Sequence, residues 1–250
     1  MTIPTAVLQV LDAALVAGST VRLTGTLDRA LYTKVDKVLQ AAGGKWSRKE
    51  RAHVFLGDAA GALEQIILTG GGSKKQELGQ FDSPAEVVAA VMELAGIDQP
   101  MQVLEPSAGR GALALAAARL TDHVLCVEID PARCASLVKA GLRSVIEADF
   151  LSLDGLGLFD RVVMNPPFAG QADIDHVLRA AKRVRPGGRL VSVMSAGTGF
   201  RQNRKAVAFR EWIARRGGRC APLPSDAFRA SGTSVQTCIV SVDIGMDGAE

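Results

Sequence analysis

The sequence predicts an α/β fold, a doubly wound and mostly parallel sheet, preceded by a small α+β domain. Two observations carry that expectation. From Phe81 onward, short apolar runs alternate with stretches striped at helical spacing, and strands that alternate with helices pair in parallel through right-handed crossovers. Before residue 70 the runs are shorter and the turns closer, and a glycine-rich basic stretch, Gly70 to Lys75, parts the two regions. The expected layout is a small domain over residues 1–70, a flexible linker over 71–80 and the parallel-sheet domain over 81–250.

In the first region Val7, Leu8, Leu11 and Leu15 share one helical face, and Gly18 stops that helix. Val21, Arg22 and Leu23 make a strand. Asp28 caps the next helix, which Leu31, Val35, Val38 and Leu39 stripe and Gly43 and Gly44 close. Trp46 and the run His53 to Phe55 predict two short strands around a charged turn, Ser47 to Arg51. Leu63, Ile66 and Ile67 stripe a third helix. The charged turn and the linker lysines are either phosphate contacts or solvated charge.

The second region opens on Ser83, which can cap a helix with Pro84 at its first position and Val87, Val88, Val91 and Met92 on its apolar face. Strands are expected over residues 101–104, 124–127, 144–146, 161–164 and 189–194. Between them lie an alanine-rich helix over 111–120, a helix running from Asp130-Pro131 to Gly141, and one striped by Ile174, Val177, Leu178 and Ala181. Val207, Trp212 and Ile213 stripe a later helix, and residues 235–242 form the last strand.

The length of 250 residues (26.2 kDa) suits one large domain with an appendage. A hydrophobic content of 48 % excludes global disorder, and a net charge of +3 with a pI near 8.8 admits a nucleic-acid partner without requiring one. Cys126, Cys134, Cys220 and Cys238 form no C-x-x-C pair, which points to reduced thiols rather than zinc. No basic leader precedes an apolar stretch at the N-terminus, and no apolar run approaches the ~20 residues that cross a bilayer. A soluble cytoplasmic protein is expected.

Doubly wound sheets bind ligands outside the carboxyl ends of their strands. Glu105, Glu128, Asp149 and Asn165 follow the first four strands and so share that rim. The loop Glu105-Pro106-Ser107-Ala108-Gly109-Arg110-Gly111 has glycines for a tight turn and a close backbone approach, but it lacks the G-K-[ST] of a P-loop and the third glycine of the nicotinamide fingerprint. Glu128 lies 19 residues beyond Gly109, a spacing at which an acid meets a ribose diol. Asp149 can accept from an adenine amine. Singly, each acid is equally a cap or a strand end; jointly they outline a nucleoside. The fourth strand ends in Asn165-Pro166-Pro167-Phe168. The prolines stiffen the loop and remove two N–H donors. The Asn165 side-chain oxygen and the Pro166 carbonyl remain as acceptors near the flat face of Phe168. That trio suits a planar group bearing an NH2, although N-P is also an ordinary turn dipeptide.

On these motifs, together with Phe81-Asp82-Ser83-Pro84, the chain resembles a class I S-adenosylmethionine-dependent methyltransferase. Within that class it resembles the amino-methyltransferases, above all the N6-adenine DNA methyltransferases of bacteria and phages. The resemblance covers about residues 81–243. It implies a Rossmann-like seven-stranded methyltransferase sheet whose last two strands form an antiparallel hairpin, with S-adenosyl-L-methionine as cofactor. Phe81 and Pro84 would border the methionine end. Glu105, Ser107, Ala108, Gly109 and Gly111 would hold the amino-acid group, Glu128 the ribose hydroxyls, and Ile129 the adenine face. Asp149 would accept from the cofactor's adenine amine, beside Phe150. Asn165 and Pro166 would hold the target amine, next to Pro167, with Phe168 stacked on the target base.

After the fifth strand comes a basic run, Arg201, Arg204, Lys205, Arg210, Arg215, Arg216 and Arg219, opposed by Glu211. It is either a solvated helix face or a set of phosphate contacts beside the site. Phe228 and the loop Ser231 to Thr233 would line the base pocket by the same resemblance. The expected reaction is methyl transfer to adenine N6 in DNA. A base amine in RNA, a glutamine amide in a protein, and a non-catalytic nucleotide-binding module rank behind it. Site-specific members of the resembled group carry a large target-recognition domain that is not evident here, which leaves the N-terminal unit, a partner or lax recognition to choose the target.

Overall fold

The computed structural model of the protein describes residues 3–70, 81–233 and 235–246; the expected linker over 71–80 lies outside these. In chain order the first elements are α1 (Thr5–Asp12), β1 (Leu15–Ala17), β2 (Thr20–Arg22), α2 (Arg29–Ala41), β3 (Lys45–Ser47), β4 (Ala52–Val54) and α3 (Ala59–Thr69). There follow α4 (Ala85–Ala95), β5 (Val103–Glu105), α5 (Ala112–Ala117), β6 (Val124–Glu128), α6 (Pro131–Lys139), β7 (Ser144–Glu147), β8 (Phe159–Met164), α7 (Ala172–Ala181), β9 (Val184–Ser195), α8 (Gly197–Phe200), α9 (Arg204–Arg215), β10 (Arg219–Pro222) and β11 (Thr237–Asp243).

The larger sheet has seven strands in the order β10-β11-β9-β8-β5-β6-β7. β5 to β9 are parallel, while β11 runs antiparallel to β9 and β10 antiparallel to β11. Side chains alternate across a strand, so each apolar run feeds two cores. Val103, Val163, Val191 and Val193 pack under α4, α5 and α6 with Val87, Val91, Leu113 and Leu137. Leu104, Val162, Met164, Leu190 and Met194 pack under α7 and α9 with Ile174, Val177, Phe209 and Ile213. The order reverses between β5 and β8, which are neighbours in the sheet and far apart in the chain. The carboxyl ends of β5, β6 and β8 therefore open onto one crevice.

The N-terminal elements form a four-stranded antiparallel sheet, β1-β2-β4-β3, over a core of Val7, Leu8, Leu11, Val35, Leu39, Ile66 and Ile67. Asp28 caps α2 by accepting from the Leu31 amide at 2.8 Å, and Asp58 caps α3 through the Ala60 and Gly61 amides. Several expectations need correction. The first helix ends at Asp12, and Leu15 begins a strand with 62 % exposure, so it does not belong to the helix face. Ser83 caps nothing: Pro84 takes the N-cap position without a side-chain bond, and the Ser83 hydroxyl is engaged elsewhere. β10, between the basic helix and the last strand, supplies the other half of the antiparallel hairpin that the resemblance implied. No described helix is long and apolar enough to cross a membrane.

The largest correction concerns Arg201. It is 5 % exposed. Both carboxylate oxygens of Glu64 on α3 lie 2.8 Å from its Nη2, and Asp12 Oδ1 lies 3.5 Å from its Nη1. Asp12 also accepts from the Gln202 amide, and Phe200 packs against the N-terminal core. Arg201 thus pins the segment after β9 to α1 and α3 of the N-terminal unit, with its guanidinium turned inward. Removing one partner of a buried ion pair leaves an uncompensated charge. Arg201→Met is therefore expected to lower the unfolding free energy by ~3–5 kcal/mol, as read from urea denaturation. Loss of under ~1 kcal/mol, the surface-pair range, would show the contact to be a surface pair in effect.

Candidate active site

Two adjoining clefts lie on the carboxyl rim, and Ser107 lines both. The first, about 530 Å³, is lined by Phe81, Asp82, Glu105, Ala108, Gly109 and Asn165, among others. The second, about 500 Å³, is lined by Glu128, Ile129, Asp149, Phe150, Pro167 and His176 with Pro106 and Ala148.

The loop from β5 to α5 turns at Gly109 (φ +57°) and Gly111 (φ +86°), both left-handed. A Cβ on Gly111 would stand 2.6 Å from Leu137 Cδ2 and require that side chain to shift, in addition to the strain of the left-handed φ. The Ala108 amide donates to Val127 O, and the Gly109 amide donates to Glu128 Oε2 at 2.7 Å. Glu128, 2 % exposed, accepts at Oε1 from the Asp130 amide at 3.0 Å, and Arg133 stands 3.8 Å from that oxygen. Each carboxylate oxygen keeps a further lone pair toward the cleft.

Glu105 is the anomaly of the rim. It is 1 % exposed, and its Oε2 has no hydrogen-bond partner among the described residues. Burial pushes its carboxyl well above the ordinary range; the Ala114 amide opposes this and the Glu128 charge adds to it. A buried carboxyl with an orphaned oxygen, facing a cleft, fits an ammonium ligand. Asp149, exposed at the rim, accepts from the Leu151 amide at 2.9 Å and the Ser152 hydroxyl at 3.1 Å. Ile129 is 61 % exposed over the second cleft, whereas Phe150 is buried beneath it.

Asn165, at the end of β8, donates from Nδ2 to Phe81 O at 2.8 Å and to the Ser83 hydroxyl at 3.1 Å. An amide with its nitrogen so fixed presents Oδ1 on the other side, and no described residue donates to that oxygen. Pro167 lines the second cleft, and Pro166 between them is buried. Phe168 does not stand as expected. It is 4 % exposed, packed in the core with Val163, Phe228 and Val235, and offers no open face for stacking. The turn after it, with Gly170 at φ +63° and Gln171 at φ +60°, folds the chain back and leaves the ring inside.

The expected nucleic-acid residues are scattered. Arg201 is internal, and Lys205 Nζ pairs with Asp175 at 2.6 Å. Arg210 donates to the Thr198 and Arg201 carbonyls, and Arg216 lies over Trp212 at 4.6 Å. Of Arg201, Arg204 and Lys205, which open the run, only Arg204 is exposed without an ion pair among the described residues. Ser231 donates to Asp82 O at 2.6 Å, at the mouth of the first cleft. Thr233 and Phe228 are buried, at 6 % and 1 %, and cannot touch a base in this conformation.

Two residues were not anticipated. His176 on α7 lines the second cleft. Its Nδ1 lies 2.8 Å from Ala172 O, which can only accept, so Nδ1 carries the proton and Nε2 is an acceptor. Burial lowers its pKa and keeps it neutral. Asp173, fully buried, accepts from the Ser195 and Ile174 amides at 3.0 Å each and ties α7 to the end of β9; burial pushes its carboxyl up to about 7. The available signal was a polar residue on either side of the Ile174 stripe.

The seven-stranded sheet, parallel but for its antiparallel end, with its clefts at the carboxyl rim, is the Rossmann-like methyltransferase fold. The model of the methyltransferase small domain family matches residues 78–218, and the chain belongs to that family. It is 33 % identical over 101 residues to the type II methyltransferase M.CvrRI of Paramecium bursaria Chlorella virus XZ-6E, a match over 38 % of this chain and 26 % of that protein. The fold is shared with the type I restriction-modification methyltransferase subunit of Streptococcus thermophilus (TM-score 0.57, 20 % identity, 72 % of this chain and 48 % of that one). It is shared also with the type I restriction enzyme EcoKI M protein (TM-score 0.57, 14 % identity, 95 % of this chain and 56 % of that one). In each case the chain spans less than two thirds of the relative's own length.

Because burial raises the Glu105 pKa in the folded state, its carboxyl destabilises the ligand-free protein at pH values above its unfolded pKa, by an amount that grows as pH rises. Glu105→Gln is expected to gain stability over the parent between pH 5 and pH 8, by roughly 1–3 kcal/mol at the upper end. Urea unfolding at both values checks this; an equal difference at both would mean the carboxyl is not held neutral.

Proposed function

We propose that the chain methylates an exocyclic amine of a nucleic-acid base, adenine N6 in DNA, in the cytoplasm. The observation that carries this reading is the orientation of Asn165. Its two donor bonds leave a fixed acceptor, Oδ1, at the edge of the first cleft. An amine conjugated to an aromatic ring is a poor nucleophile. Oδ1 and the Pro166 carbonyl accept its two N–H groups and favour a tetrahedral nitrogen with its lone pair free. These bonds strengthen as positive charge develops on nitrogen, which is where stabilisation raises the rate.

The cofactor supplies a methyl group already activated on a sulfonium sulfur, so the protein's part is positioning. Glu105 would pair with the cofactor's ammonium, and the Ala108 to Gly111 backbone would follow its carboxylate. Glu128 would take the ribose hydroxyls and Ile129 the adenine face, and Asp149 with His176 Nε2 would accept from the adenine amine. Residues 81–250 form the catalytic unit on this reading, and residues 1–70 a separate one. The relatedness to a protein named as a type II methyltransferase supports a DNA substrate.

Transfer of tritiated methyl groups to DNA, RNA and protein pools, followed by nucleoside analysis, tests the assignment. N6-methyladenine in DNA is expected; label confined to RNA or protein replaces the polymer. Asn165→Ala should lower kcat by about 10²–10³ while the Kd for S-adenosylhomocysteine stays within roughly threefold, about 0.7 kcal/mol. An undiminished single-turnover rate ends the acceptor role.

A further inference from the structure

The N-terminal sheet has one face that is covered except at Trp46, 47 % exposed, and one that is open except at Ala52, which is buried. The register places Val16, Val21, His53 and Trp46 on one side. Val21 and His53 are fully buried there, and His53 Nε2 meets Asp36 of α2 at 2.8 Å. The same register places Leu15, Arg22, Thr20, Val54, Lys45 and Ser47 on the other side, and each of these is exposed or half-exposed. The β3–β4 turn extends this face with Arg48, Lys49 and Arg51, all exposed. β3 is the edge strand, so its outer backbone is open as well.

Residues 1–70 hold eight Lys or Arg against six acids, and five of the acids are occupied: Asp28 and Asp58 as helix caps, Asp36 by His53, and Asp12 and Glu64 by Arg201. Glu50 alone is left; its backbone carbonyl, not its carboxylate, receives Arg22 Nη2 at 3.1 Å. No ion pair joins Arg22, Lys45, Arg48, Lys49 or Arg51 to a described acid. The contrast with the run after β9 is informative. There Arg201, Lys205 and Arg210 are spent on Glu64, Asp12, Asp175 and backbone carbonyls, although Arg204 is not; here Lys45, Arg48, Lys49 and Arg51 form no ion pair with a described acid, and Arg22 reaches only the Glu50 carbonyl.

The unit is also held against the catalytic rim. Besides the Arg201 pin, the Gln236 amide donates to Leu68 O, and the Gln236 carbonyl accepts from the Ala196 amide just after β9. A polymer held by the N-terminal sheet is therefore held at a fixed offset from the clefts.

We propose that the open face of the N-terminal sheet, through Arg22, Lys45, Arg48, Lys49 and Arg51, binds the phosphodiester backbone of a nucleic acid. The choice of partner rests on the functional reading above. Cations set along one sheet face and the turn that continues it, with the Ser47 hydroxyl among them, match a repeating anion. The contacts position the polymer without reading sequence.

The test uses the full chain and fluorescence anisotropy with short duplex DNA, single-stranded DNA and RNA. Lys45, Arg48, Lys49 and Arg51 are changed together to Gln. A control variant changes Lys34, Lys37, Lys139 and Arg143 to Gln, an equal loss of charge elsewhere. The first variant is expected to bind at least one of these polymers roughly 30-fold more weakly at moderate salt, and the slope of log K against log salt should fall by about 3. The control should keep at least two thirds of the parent slope. Both should bind S-adenosylhomocysteine like the parent, which shows that they fold. An unchanged slope in the first variant, or equal losses in the two, overturns the inference. So does displacement of nucleic acid by polyglutamate at equal charge concentration. The methyl-transfer assay reports separately: a parent that labels no nucleic acid ends the catalytic assignment, whatever the slopes show.

Discussion

The site depends on the two hydrogen bonds that fix the Asn165 amide. Nδ2 can only donate and Oδ1 can only accept, so two acceptors on one side decide what is offered on the other. Those acceptors, Phe81 O and the Ser83 hydroxyl, come from the chain entering α4. A flipped amide would set Oδ1 against Phe81 O, two acceptors facing each other without a proton. The entry to α4 is held in its turn, because the Ser231 hydroxyl closes onto Asp82 O from the loop before β11. Three distant parts of the sequence therefore meet to aim one oxygen.

The rim gains function at the expense of stability. Glu105 sits buried with an orphaned oxygen, 1 % exposed, between the core and the first cleft. Glu128, nearly as buried, is stabilised by the Gly109 and Asp130 amides. The difference follows from the loop: its Ala108 and Gly109 amides point at β6, the Ala114 amide is the one backbone donor that reaches Glu105, and Oε2 is left without a partner among the described residues. A cationic group arriving in that cleft would supply the missing partner, so a structural liability in the free protein becomes affinity in the complex. Buried polar groups with unmet bonds are otherwise rare in folded chains.

Much of this was legible in the residues. The alternation of helix and strand gave the parallel sheet, and the resemblance carried by the motifs gave its seven strands and antiparallel end. The acids and the Asn165 corner fell where strand ends were expected, because strand ends need only local patterning. What was not legible depended on partners far away in sequence. Ser83 looks like a cap, and only its approach to Asn165 shows otherwise. Phe168 looks like a stacking surface, yet the left-handed turn at Gly170 and Gln171 folds it under the core. Leu15 continues a helical stripe by spacing, but the chain leaves the helix at Asp12 and Leu15 pairs with Arg22 across a hairpin.

The basic residues make the same point about charge. A run of arginines after β9 has the composition of a phosphate-binding segment, and composition cannot show which cations are already neutralised. Arg201 is consumed by Glu64 and Asp12, from α3 and α1, more than a hundred residues earlier in the chain. A buried ion pair of this kind is a poor source of stability, since desolvation offsets most of the attraction. Its geometric demand is strict, however: a guanidinium fork meeting two carboxylates permits few relative placements of the parts that carry them. The Arg201 contact therefore acts mainly to set where the N-terminal sheet stands against the end of β9. On the proposed reading, that placement sets an otherwise separate basic surface at a fixed offset from the crevice at the carboxyl rim.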